Sequence, residues 1–88
     1  MRSVVRFEND RLRVRELRLR PGEKEPMHSH PAYLVLVLSP ARMRMTSTEG
    51  RVTELDLPAG QISFSNATAH AGDNVGSTEL HELIVELK

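Results

Sequence analysis

The sequence predicts an all-β domain of nine short strands, and three observations carry that prediction. Apolar and polar residues alternate with period two, as in "RLRVRELRLR" and "LHELIVEL", a pattern that marks strands with one buried face. No apolar stripe of helical period is long enough to make a helix. Turn-forming clusters punctuate the chain at "ENDR", "RPGE", "SP", "TEGR", "LPAG" and "NVGST", each built on residues whose backbone or side chain favours a reversal.

The first expected strand, Val4–Phe7, ends at "ENDR". In the second, Arg11–Leu19, Arg11, Arg13 and Arg15 alternate with Leu12 and Val14, so the arginines read as the solvated face of a half-buried strand. Apolar parity then changes between Val14 and Leu17, which predicts a β-bulge or bend at Arg15 and Glu16. Glu25–His28 and the most apolar segment, Tyr33–Leu38, follow. Arg42–Ser47 carries Met43 and Met45, which with Met27 read as adaptable core filler. Val52–Leu57, Gln61–Ser65, Ala69–Asn74 and Leu80–Leu87 complete the set. Asn74 and Gly76 read as turn residues. In the last strand His81, Leu83, Val85 and Leu87 share one face, and Glu82 and Glu86 lie on the other, where they read as exposed. So many strands in one open sheet would leave long edges and a bare apolar face, so two packed antiparallel sheets or a closed barrel are expected. Periodicity alone leaves a sandwich, a jelly roll and a meander barrel open.

Eighty-eight residues, 39% of them hydrophobic, fit one domain spanning residues 1–88. With no cysteine, disulfide frameworks and thiolate zinc sites are excluded. Covering an edge or face of so small a barrel favours a homodimer. The apolar run Ala32–Leu38 is too short to span a membrane, and "MRSVVRFEND" has no apolar signal core; a cytoplasmic protein with no membrane partner is expected. Net charge is zero, although residues 1–20 hold seven arginines against three acids. One Tyr and two Phe offer little for base stacking, so no nucleic-acid partner is expected.

Chemistry is concentrated in the histidines. In "PMHSHPAYLVLVL", His28 and His30 are two residues apart, and on a strand they point to one face at a separation that one metal ion can bridge. His70 lies in "NATAHAGDNVG", where another strand begins. His81 is the candidate for proton transfer, set against a packed histidine with one hydrogen-bond partner. Tyr33, by parity, reads as pointing outward, opposite to the histidine pair.

These segments show a resemblance. "GEKEPMHSH", a glycine, five residues and His-x-His, resembles the first half of the first cupin motif, and "HAGDNVG" resembles the end of the second. "ELDLPAGQISF" resembles the glycine turn between them. The match runs from about residue 10 to residue 86. Similarity to cupins implies a jelly-roll barrel, a double-stranded β-helix with a metal in its mouth, and His28, His30 and His70 match its histidine ligands. Two departures stand out. The glutamate expected four or five residues after the second histidine is replaced by Leu34 and Val35, and "SNATAH" stands where Pro-x-Gly usually precedes the last histidine.

The resemblance therefore implies a divalent ion, Fe, Mn, Ni, Cu or Zn, held by three neutral imidazoles. An ion lacking the carboxylate keeps its double charge, so a small anionic ligand is the expected partner, in a mouth expected to include Leu34. The enzyme reading is a metal-dependent dioxygenase, or an isomerase or lyase, with His81 or an acid of the last strand moving protons. The other readings are a non-catalytic small-molecule-binding barrel and a metal-free dimerising barrel.

Overall fold

A computed structural model describes residues 1–88. Its strands are β1 (Arg2–Glu8), β2 (Leu12–Leu19), β3 (Lys24–His30), β4 (Tyr33–Ser39), β5 (Ala41–Ser47), β6 (Val52–Leu57), β7 (Ile62–Ser65), β8 (Thr68–Asn74) and β9 (Leu80–Leu87). Every expected strand is present. No helix is long and apolar enough to cross a membrane. The strands form a five-stranded sheet, ordered β1-β2-β9-β4-β7, and a four-stranded sheet, ordered β3-β8-β5-β6. All pairings are antiparallel, giving the two-sheet jelly roll of a double-stranded β-helix.

Between the sheets lies a core of Leu17, Leu19, Tyr33, Ala41, Met43, Leu80 and Ile84, with Val35, Met45 and Leu57 packed against it. Burying a large apolar side chain stabilises by ~1.5–3 kcal/mol, so these few residues set the frame. Gly22 and Gly60, the motif glycines, turn the chain with φ of 83° and 86°, a left-handed conformation that side-chain-bearing residues rarely adopt. Asn74 is buried and satisfied: its amide donates to the Leu19 and Thr78 carbonyls, and its oxygen accepts from the Gly76 amide.

β2 departs from expectation in two ways. It pairs with β9 in unbroken register from Leu12↔Leu87 to Leu19↔Leu80, so it carries no bulge at Arg15 and Glu16. The irregularity is instead in β1, between Val5 and Phe7, opposite Arg15 and Val14. The inner face of β2 is Arg13, Arg15, Leu17 and Leu19, because these residues pair with Glu86, Ile84, Glu82 and Leu80 on the buried side of β9. The arginines therefore face the barrel mouth, and Leu12 and Val14 face out. Parity changes because the interior itself changes, from polar at the mouth to apolar at the Leu19–Leu80 end. Glu82 and Glu86 are likewise buried, not exposed.

Candidate metal centre

β3 carries the first two candidate ligands and a β-bulge that aims them. Lys24 and Glu25 pair with Asp73 and Gly72 of β8, but His28 pairs with His70, so β3 holds one extra residue in the interval containing Pro26 and Met27. Without it, the odd spacing would send Glu25 and His28 to opposite faces. With it, Glu25, His28 and His30 are the partly buried residues of the strand while Lys24, Pro26, Met27 and Ser29 are exposed. Proline has no amide hydrogen to give a ladder, so Pro26 suits a bulge.

The pairing His28↔His70 sets the third imidazole beside the first two. Nitrogen atoms of His28, His30 and His70 all lie within 4.8 Å of one another. His28 Nδ1 is 2.7 Å from the Pro26 carbonyl oxygen, and His30 Nδ1 is 2.9 Å from Glu86 Oε2. Both partners only accept, so both Nδ1 atoms carry the hydrogen and the neutral rings present lone pairs at Nε2. Those two Nε2 atoms stand 2.7 Å apart. Two lone pairs at this separation repel unless a proton is shared between them or a metal ion lies beside both. His70 is held down at about 4 by burial and by the neighbouring His28 and His30, so it too offers a lone pair at neutral pH. This donor set fits a divalent metal ion.

Glu86 orients the site from behind. Burial pushes its carboxyl up, but hydrogen bonds from His30 and Arg15 outweigh that and hold it below the usual carboxylate range. Arg15 Nε donates to Glu86 Oε1 at 3.1 Å, leaving Oε2 for His30, the carboxylate–histidine arrangement that fixes a ligand's tautomer.

Next to the imidazoles is a cavity of about 120 Å³ lined by His30, His70, Tyr33, Val35, Glu25 and Glu82 among others. Glu82 is pushed up to about 7, chiefly by burial and further by Glu25. Burial also raises Glu25, against the opposing pull of His28 and His30. Tyr33 is buried with its ring centroid 4.7 Å from that of His30. The outward reading of Tyr33 is thus corrected: it starts a strand of the opposite sheet, so β3 parity does not apply to it. Leu34 faces out, paired with Val85 and Phe64, and the inner position belongs to Val35. The mouth is not lined by Leu34.

His81 stands on the outer face of β9, with Nε2 2.6 Å from Glu16 Oε2, and does not line the cavity. That is the packed, singly partnered arrangement, and it leaves Glu82 as the titratable group of β9 inside the chamber. Sequence reasoning missed the inward role of Glu25, Glu82 and Glu86. For Glu25 the cue was Pro26, since a proline within a strand marks either an edge or a bulge.

No protein-family model matches the sequence, and no curated protein matches it. Solved structures do. A cupin domain from Bordetella pertussis is 25% identical with a TM-score of 0.89, covering 98% of this chain and 91% of that one. A conserved protein with a double-stranded β-helix domain from Klebsiella pneumoniae is 24% identical, with a TM-score of 0.76 over 94% and 72% of the two chains. A cupin-superfamily protein from Desulfitobacterium hafniense is 20% identical, with a TM-score of 0.73 over 97% and 74%. The nine-stranded double-stranded β-helix and its likeness to these structures identify the chain as a cupin-superfamily domain.

Proposed function

We propose that the domain binds one divalent ion through His28, His30 and His70 and uses it to hold a small anionic ligand or substrate. The observation that carries this reading is the convergence of three imidazoles, two of them pinned from behind by acceptor-only partners. A cleft of about 380 Å³ lies alongside, lined by Arg13, Arg15, Ser29, Pro31, Glu86 and Lys88. Arg13, Arg15 and Lys88 are paired with Glu8 and Glu86, which leaves one net positive charge to favour an anion at the approach. A redox-active ion in this setting supplies dioxygenase chemistry, the class proposed here, and a redox-inert one supplies Lewis-acid polarisation for isomerisation or elimination. Within the chain, Glu82 is placed to hold or release a proton inside the cavity.

The test is metal analysis of purified protein, followed by binding of 2-oxo acids, thiol acids and neutral sugars to protein loaded with Fe, Mn, Ni, Cu or Zn, with oxygen uptake recorded. Single His28→Ala, His30→Ala and His70→Ala variants are expected to lose metal, and acids to bind at least ~10-fold more tightly than sugars. Metal retained by all three variants refutes the ligand set. Equal binding of sugars refutes the anionic ligand, and binding without turnover leaves a non-catalytic binding module.

We further propose that the domain is a homodimer joined through the outer face of the five-stranded sheet. Phe7, Val14, Val85, Leu34 and Phe64 form an unbroken apolar row across all five strands. A second row adds Val4, Leu83, Leu36 and Ile62, and Ile62, Phe64 and Phe7 are 68%, 57% and 55% exposed. Five strands ~4.8 Å apart and several side chains long give a footprint on the order of 450 Å². Side chains standing proud of it bring the accessible area toward the ~800 Å² per partner of a standard interface. Glu16 engages Arg6, Arg18 and His81 on that face, and Arg2, beside Arg18 at the margin of the sheet, is the charge there without an ion-pair partner.

A further inference from the structure

We propose that Glu25 supplies the carboxylate ligand of this metal site, in place of the glutamate that the cupin pattern puts at position 34 or 35; the inference rests on the three-histidine reading above. Its Oε1 lies 3.4 Å from His28 Nε2, the nitrogen that the Pro26 carbonyl leaves free for an ion. Two donors each ~2.1 Å from one ion at the tetrahedral angle are ~3.4 Å apart. The Glu25 side chain is 16% exposed and lines the same cavity as His30 and His70; its carboxylate stands outside the 4.8 Å cluster of the three imidazoles, so ligation requires it to turn toward them.

The bulge makes this position. It places a residue three before His28 on the same face, and its Pro26 carbonyl orients the His28 ring. One local irregularity thus delivers both a carboxylate and a correctly turned imidazole, consistent with the use of bulges to re-aim side chains beside active sites. The inner position of β4 nearest the family's usual location is Val35, which packs against the core. Of the other acids, Glu86 is held behind His30 by the imidazole Nδ1 and Arg15. Glu82 faces the cavity from β9, in the opposite sheet. Glu25 is the carboxylate on the metal side of an imidazole. With it, the bound ion keeps one net positive charge, so an anion is still drawn to the remaining positions but less strongly than to a site of imidazoles alone.

The test is a chelator-competition titration of Zn(II) and Co(II) with the parent protein, Glu25→Gln, Glu25→Asp and His70→Ala. Glu49→Gln, in an exposed turn, controls for loss of a negative charge in general. The Co(II) visible spectrum reports the coordination sphere. Expected are a loss of affinity of at least ~10-fold in Glu25→Gln, a smaller loss in Glu25→Asp, an altered Co(II) spectrum in both, and parent behaviour in Glu49→Gln. Glu25→Gln with parent affinity and spectrum, while His70→Ala loses metal, overturns the Glu25 assignment and leaves the histidine site standing. A parent that binds neither ion overturns both.

Discussion

The two faces of β9 invert the usual rule of burial. Its inner face reads Leu80, Glu82, Ile84, Glu86, and its outer face reads His81, Leu83, Val85, Leu87. Acids lie inside and branched apolar residues outside. A strand in a two-sheet barrel ordinarily buries its more apolar face, because that is where burial contributes most. Here the inner face is shared between a core and a chemical site, and the outer face is more apolar than an isolated barrel requires. On the function proposed above, the polar groups inside would serve a metal and its ligand, and the apolar outer face would meet a second copy.

Three experiments bear on that contrast. The largest effect is expected outside. Phe64→Glu, at the end of the apolar row, should convert a dimer into a monomer at micromolar concentration, a weakening of at least ~100-fold for a buried unpaired charge. Sedimentation in which the parent is already monomeric, or the variant is still dimeric, breaks the comparison.

Inside, the effect should depend on pH. Glu82 stays protonated in the fold up to about pH 7, whereas in the unfolded chain it ionises near ~4.3. Its contribution therefore favours the folded state at low pH and is lost as pH rises through that interval. His70 acts oppositely: it is neutral in the fold down to about 4 and takes a proton when unfolded below ~6.5, so its part is lost as pH falls. The difference between variant and parent separates the two. In chelator-treated protein, with Glu25 and Tyr33 unchanged around it, Glu82→Gln should match the parent near pH 4. It should exceed the parent by roughly 3 kcal/mol near pH 8, an order-of-magnitude figure from the linkage relation. Denaturant titrations that keep the same gap at both pH values would contradict it.

The smallest effect is expected at His81→Ala, which removes an outer-face partner of Glu16. Metal affinity should stay within about twofold of the parent, since His81 faces away from the three imidazoles and does not line their cavity. A loss comparable to His70→Ala would put His81 in the site and undo the assignment of faces.

How much of this was legible follows from the physics of each signal. Period-two alternation located all nine strands, because alternation is a local property of a pleated chain. It did not tell which face was inside. For Arg13 and Arg15, the rule that charges face water gave the wrong side, because Glu86 and the open mouth receive them. His28, His30 and His70 were legible from motif spacing, and the register His28↔His70 brings them together. Glu25 was not, because one inserted residue reverses parity and alternation cannot count insertions. Tyr33 was misplaced for a related reason: parity does not carry from one strand to the next when the next lies in the other sheet.

The pairing of β2 with β9 also governs how the fold is reached. Leu12 lies beside Leu87, and Leu19 beside Leu80, so the middle of the larger sheet joins segments from opposite ends of the chain. Contacts of such wide sequence separation are slow to form, typically on a millisecond-to-second scale, because loop entropy is lost before they return stability. During synthesis, at ~5–20 residues per second, β2 waits several seconds for its partner with Leu17 and Leu19 uncovered. This domain cannot be assembled from its beginning. It closes at the last strand, and the histidine cluster with its Glu86 support, the core and the outer apolar face then come into being together.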